Sequence, residues 1–221
     1  MPDVIFTGPT GRLEGKYQHQ KHKSAPIALV LHPHPKQAVG TMNHPIPYEL
    51  FYSFHRRGCS VLRFNFRGVG RSQGTYDAGV GELSDAAAAL DWLQMMNPGA
   101  QTCWIAGVSF GAWIGMQLLM RRPEIHAFIS ISPPANFYDF TFLAPCPASG
   151  LILHGRNDTV SPEADVQKLV DRLSAQRGIK ITQVKTEGAN HLFENHVPDL
   201  VRTVEDYLDM RMPPVEEPLS P

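Results

Sequence analysis

The stretch CWIAGVSFGAWIGMQLLMRR, residues 103–122, decides the reading of this chain. Cys103 to Val108 is an apolar run of strand length. From Phe110 to Met120 the chain stays apolar without alternation, as a buried helix does. Between the two stands Ser109, flanked by Gly107 and Gly111 in the pattern G-x-S-x-G. Two explanations compete. A serine at a helix start can cap it by accepting a backbone hydrogen bond. A serine in a tight turn between strand and helix can instead present its hydroxyl as a nucleophile. The glycines then let the two elements approach, and the helix N-terminus supplies free N–H groups. A hydroxyl is a poor nucleophile until a base takes its proton, so the rest of the chain has to supply one.

Outward from this turn the chain alternates strand-like and helical segments. PIALVLH (26–32), CSVLRFNF (59–66), IHAFISIS (125–132), SGLILHG (149–155) and KITQVKT (180–186) read as further strands. PYELFYSFHRRG (47–58) reads as a helix closed by Gly58. Leu83, Ala86, Ala87, Leu90 and Leu93 mark a helical stripe within 81–96. Val166, Leu169, Val170 and Leu173 mark another, and Val197, Leu200, Val201, Val204 and Leu208 a last one. Near-continuous apolar strands are expected when helices cover both faces of a parallel sheet. The predicted fold is therefore α/β, a mostly parallel doubly wound sheet with helices on both faces. The segment before Ser24 adds one or two antiparallel edge strands, although KYQHQKHK (16–23) fits no element clearly.

A chain of 221 residues suits one α/β domain, taken as 1–211, with the proline- and acid-rich 212–221 as a disordered tail. The net charge of −1 gives no bias toward nucleic acid or anionic membrane, so neither is an expected partner. Cys59, Cys103 and Cys146 form neither a disulfide framework nor a metal motif. The opening MPDVIFTGPT has no basic region followed by an apolar core, so no secretory leader is expected, and no apolar run approaches the ~20 residues that span a bilayer. The expected location is the cytoplasm. A homodimer is compatible with the sequence, but no feature requires one.

In doubly wound sheets ligands bind beyond the carboxyl ends of the strands, so the base is sought in the later strand-end loops. TEGANHLFENH, residues 186–196, offers His191 after a Gly188-Ala189-Asn190 turn. His196 competes but falls where the last helix begins. A histidine base needs a carboxylate to fix its tautomer. LILHGRNDTVSP (151–162) offers Asp158, with Ser161 as a helix cap and Pro162 opening the helix. Asp139, among the aromatics of NFYDFTF, is the runner-up. The order Ser109, Asp158, His191 is one of the known triad orders, the one found in α/β-hydrolases.

Attack on a carbonyl creates an oxyanion, and N–H donors must wait for it. The residue after the nucleophile, Phe110, is one expected donor. The loop HPHPKQAVGTMNH (32–44) supplies the other. Pro33 and Pro35 lack an N–H, which leaves His34 as the best placed. His32, His34 and His44 also invite a metal reading. No further ligand stands at metal-like spacing, so no metal and no cofactor is expected. His32 is expected to pack or hydrogen-bond beneath the loop.

These segments together resemble the α/β-hydrolase superfamily, in particular its small capless bacterial esterase-like members. The resemblance rests on HPHP after one strand, RFNFRGVGRSQG (63–74) after the next, G-x-S-x-G at the turn, and GANH before the last helix. It runs from about Pro26 to the last helix. It implies Ser109 as nucleophile, Asp158 as acid, His191 as base, and Phe110 and His34 at the oxyanion hole. One position departs: many relatives carry an acid where Asn65 precedes FRG, a site that is usually structural in the family.

The same resemblance places family lids between the strands at 125–132 and 149–155. Only residues 133–148 lie there, too few for a cap domain. Their aromatics Phe137, Tyr138 and Phe140 are candidates for a substrate pocket, or for packing on the sheet edge. Arg67, Arg71 and Arg156 stand in strand-end loops, free to meet an anionic substrate or tied up structurally. The expected function is a serine hydrolase cleaving esters or thioesters of small to medium acyl groups. Two readings stand beside it: a hydrolase of another acyl class such as peptides, and a binding protein that kept the fold without the chemistry.

Overall fold

A computed structural model describes residues 2–37 and 39–212. The expected tail, 212–221, lies outside the described residues apart from Met212. The elements in chain order begin with the hairpin β1 (Asp3–Gly8) and β2 (Gly11–Gln18), then β3 (Ile27–Leu31), α1 (Pro45–Arg56), β4 (Ser60–Phe64) and α2 (Val80–Met96). There follow β5 (Cys103–Val108), α3 (Phe110–Leu119), β6 (Ile125–Ile131), β7 (Ser149–Gly155), α4 (Glu163–Ser174), β8 (Ile181–Thr186) and α5 (Val197–Arg211).

The strands form one sheet in the order β1-β2-β4-β3-β5-β6-β7-β8. β1 and β2 are antiparallel to each other, and β2 to β4. From β4 to β8 every pairing is parallel. This is the α/β-hydrolase arrangement, and of the one or two antiparallel edge strands expected from sequence both are present. KYQ of the unassigned segment closes β2, and residues 19–26 carry the chain across to β3.

Strand alternation sorts the core into two layers. Leu29 and Leu31 of β3 belong to the layer covered by α2, α3 and α4, with Leu90, Ile114 and Val166. Ala28 and Val30 face α1 and α5 through Leu50, Phe54, Leu200 and Val204. All are buried, and each large aliphatic contributes roughly 1.5–3 kcal/mol by leaving water. The chain winds outward in opposite directions from β3, to β4 on one side and β5 on the other. The switch point between β3 and β5 opens a crevice at their carboxyl ends. Ser109 follows β5 and His34 lies just past β3. No helix among the described residues is long and apolar enough to cross a membrane.

Candidate active site

Ser109 occupies the strained turn between β5 and α3, with φ 53° and ψ −117°. A non-glycine residue at positive φ costs of order 1–3 kcal/mol and persists only where its surroundings enforce it. Here they do. The Ser109 N–H donates to the Ile131 carbonyl at 2.8 Å, and its own carbonyl accepts the Ala112 and Trp113 N–H groups. A Cβ on Gly107 would collide with the Gly111 carbonyl, and one on Gly111 would stand 2.5 Å from the His32 oxygen. Only glycine permits strand, turn and helix to sit this close. The Ser109 side chain makes no capping bond to α3. It points away from the helix, which removes the capping explanation of the G-x-S-x-G turn.

The Ser109 Oγ lies 2.8 Å from Nε2 of His191, and His191 Nδ1 lies 2.8 Å from Oδ2 of Asp158. The other Asp158 oxygen accepts the N–H groups of Val160 at 2.9 Å and Ser161 at 2.7 Å. All three side chains are buried beneath the strand-end loops. The turn that brings His191 inward is held by the Asn157 N–H donating to the Ala189 carbonyl. Ser161 does not cap α4 as the sequence led one to expect: Pro162 holds the cap position, and Ser161 serves Asp158 with its N–H. The runner-up Asp139 is engaged elsewhere, accepting both the N–H and the hydroxyl of Thr141, which lower its pKa. His196 stands at the start of α5 without a side-chain capping bond and leans on Asp199.

Phe110 opens α3, so its N–H lies ahead of the helix's own hydrogen-bond ladder. His34 packs its ring 5.1 Å from the Phe110 ring and 5.0 Å from Tyr76. Its carbonyl accepts the Gln37 N–H and its Nδ1 the Lys36 N–H, which fixes the loop locally. Beneath it, His32 donates from Nδ1 to the Pro33 carbonyl at 2.6 Å while Nε2 accepts the Phe66 N–H at 3.0 Å. Complete burial pushes the His32 pKa down to about 3, so this ring is a neutral strut, as expected for it. His44 caps α1 by accepting the Ile46 N–H. The three histidines thus hold the loop at three separate points.

Sequence reasoning missed the buried polar anchors of these loops. Asn65 accepts the Met42 N–H and donates to Glu14 at 2.5 Å, and Arg63 donates to the Met42 carbonyl. An acid at position 65 would face the Glu14 carboxylate, which explains the amide there. Arg67 is tied up structurally: it grips the fully buried Asp85 of α2 with two guanidinium bonds, at 2.9 and 2.8 Å. Arg71 pairs with Glu14, and Arg156 with Glu187 and Glu163. The spacing of Arg67 and Asp85 carries no local signal, because a loop and a helix bring them together.

The candidate pocket residues separate. Tyr138 stacks on Trp113 at 4.2 Å and meets the Phe110 ring edge-on, next to the nucleophile turn. Phe140 is only 3% exposed and belongs to the hydrophobic core; the small cavity it borders, with Asp139 and Leu169, includes none of Ser109, Asp158 and His191. Phe137 points outward and is 68% exposed. Trp113 and Tyr76, neither singled out from sequence, complete the aromatic group around Phe110. Trp113 follows Phe110 by three positions and shares its helix face, a signal that was available.

Fold and site together define an α/β serine hydrolase. The family described as X-Pro dipeptidyl-peptidase (S15 family) matches residues 8–196, and the chain belongs to that family. An uncharacterised protein of Rickettsia prowazekii is 53% identical over 212 residues, covering 94% of this chain and 89% of its own. Among solved structures, a protein of unknown function from Agrobacterium tumefaciens is 61% identical, with TM-score 0.94 over 98% of this chain and all of its own. A lidless α/β serine hydrolase from Xanthomonas campestris is 28% identical, with TM-score 0.86 over 97% and 96% of the two chains.

Proposed function

We propose that Ser109, His191 and Asp158 form a working triad that cleaves esters or thioesters of small to medium acyl groups. The observation that carries this is the unbroken hydrogen-bonded line from Asp158 through His191 to a serine held at positive φ. Asp158 holds the imidazole so that Nε2 can accept a proton. Ser109 Oγ attacks the carbonyl carbon as that proton moves to His191. The N–H groups of Phe110 and His34 receive the oxyanion. His191 then protonates the departing alcohol or thiol, and water, deprotonated by the same ring, releases the acid.

Two features favour a neutral acyl substrate on an open site. The 133–148 connection contains no helix or strand that could form a lid. Tyr138 and Trp113 offer an aromatic shelf beside the nucleophile, and Phe137 an apolar rim. The family match favours a second reading, a dipeptidyl peptidase, which must hold a free α-ammonium group. Carboxylates near the loops are already engaged: Glu82 by the Asp77 and Gly79 N–H groups, Asp139 by Thr141, and Glu194 by Asn190. That weighs toward esters. The test is a panel of p-nitrophenyl esters from acetate to decanoate, acyl thioesters and X-Pro p-nitroanilides. We expect turnover of short and medium esters or thioesters. Turnover of the anilides alone would overturn the ester reading in favour of the peptidase.

A further inference from the structure

One group of buried polar atoms plays no part in the chemistry above. His154 lies in β7, four positions before Asp158, and is 1% exposed. Neither of its ring nitrogens has a hydrogen-bond partner among the described residues. The same holds for the hydroxyls of Ser130, Ser132 and Ser161, all buried. Sheet register brings His154, Ser130 and Ser132 together. Ser130 pairs with Ile152 in the sheet, and the Ser132 N–H donates to the Leu153 carbonyl, which sets Ser132 beside His154. Ser161 lies in the acid's own turn, its N–H on Asp158. On the other side His154 pairs in register with Lys185 of β8, whose ammonium bonds Glu163 at the start of α4.

A dry, unpaired polar group costs roughly 1–3 kcal/mol, so several together are not kept for packing. Buried groups of this kind are held by ordered water making two to four hydrogen bonds. Asp158 itself has room for one more bond. A carboxylate offers about four acceptor directions, and Val160, Ser161 and His191 fill three.

We propose that His154, with the hydroxyls of Ser132 and Ser161, binds buried water that supports the Asp158 turn, which makes His154 a positioning residue for the triad. The inference rests on Asp158 being the acid. The ring acts in its neutral form, since burial lowers its pKa against the pull of Asp158 and Glu163, with Lys185 and Arg156 adding to the lowering. A water-bonded ring and serine hold the turn at one height. Asp158 then stays in line with His191 Nδ1.

The test is the pH profile of Ser109 phosphonylation by a fluorophosphonate, in wild type, His154→Phe, His154→Gln and Ser132→Ala, together with ester kinetics. His154→Phe keeps a flat ring and removes the hydrogen bonding. It should slow labelling about tenfold and displace the acidic limb of the profile, lowering kcat with KM unchanged. Ser132→Ala should act in the same direction more weakly. His154→Gln, able to donate and accept, should restore most of the rate. Wild-type labelling and an unchanged profile in His154→Phe would overturn the proposal. If that variant does not fold, wild-type behaviour of Ser132→Ala overturns it equally. A folded wild type that never labels would instead sink the triad reading, and this inference with it.

Discussion

The hydroxyl of Ser109 lies 2.8 Å from Nε2 of His191, although 82 positions separate them in the chain. The contact exists because β5 and β8 end at the same edge of the sheet and each is followed by a tight turn. Ser109 is held for that contact in a conformation that serine disfavours.

Replacing Ser109 should therefore separate activity from stability. Ser109→Ala should lose about 10⁴-fold or more in turnover. Ser109→Gly should be equally inactive yet more stable by about 1–2 kcal/mol, because glycine adopts φ 53° without strain. Urea titrations of the two variants beside wild type measure the difference.

The two carboxylates weighed as acid should behave oppositely. Asp158→Asn leaves the shape intact but presents the wrong partner to His191 Nδ1, and should reduce kcat by about 10³–10⁴-fold. Asp139→Asn, whose carboxylate only closes a turn onto Thr141, should leave ester kinetics at the wild-type level.

Gly107 and Gly111 should tolerate no side chain. Alanine at either position pushes a methyl group into backbone carbonyls. Each variant should lose activity and about 2 kcal/mol or more of stability, read from the urea midpoint.

His32 should make the protein sensitive to acid. Its pKa falls from 6.5 to about 3 on folding, so the unfolded chain binds the extra proton between those values. The stability linked to this ring is complete above about pH 6.5 and is lost as pH falls toward 3, by up to roughly 5 kcal/mol. His32→Asn should flatten that part of the stability–pH curve, measured as the urea midpoint from pH 4 to 7.

What was legible in the sequence follows from what is local. Ser109, Asp158 and His191 each stand one short turn beyond a strand, so strand-end position and residue type were enough to single out the three side chains that the fold brings into one hydrogen-bonded line. His34 was reached by elimination of the prolines beside it, and the structure sets its ring against that of Phe110. The aromatic connection was not legible in the same way. NFYDFTF has no period of 2 or 3.6, so nothing in it says that Phe140 turns into the core while Phe137 faces solvent. Arg67 with Asp85, and Asn65 with Glu14, were hidden for a different reason. Each pair joins a loop to a distant element, and only the folded sheet gives them a common address.

The central claim is that Ser109 is a nucleophile activated by His191. Intact mass after incubation with a fluorophosphonate tests it most directly, in wild type, Ser109→Ala and His191→Ala. The expected result is one phosphonyl group per wild-type chain and none on either variant. A folded wild type that stays unlabelled, or a Ser109→Ala variant that labels as well as wild type, would contradict it.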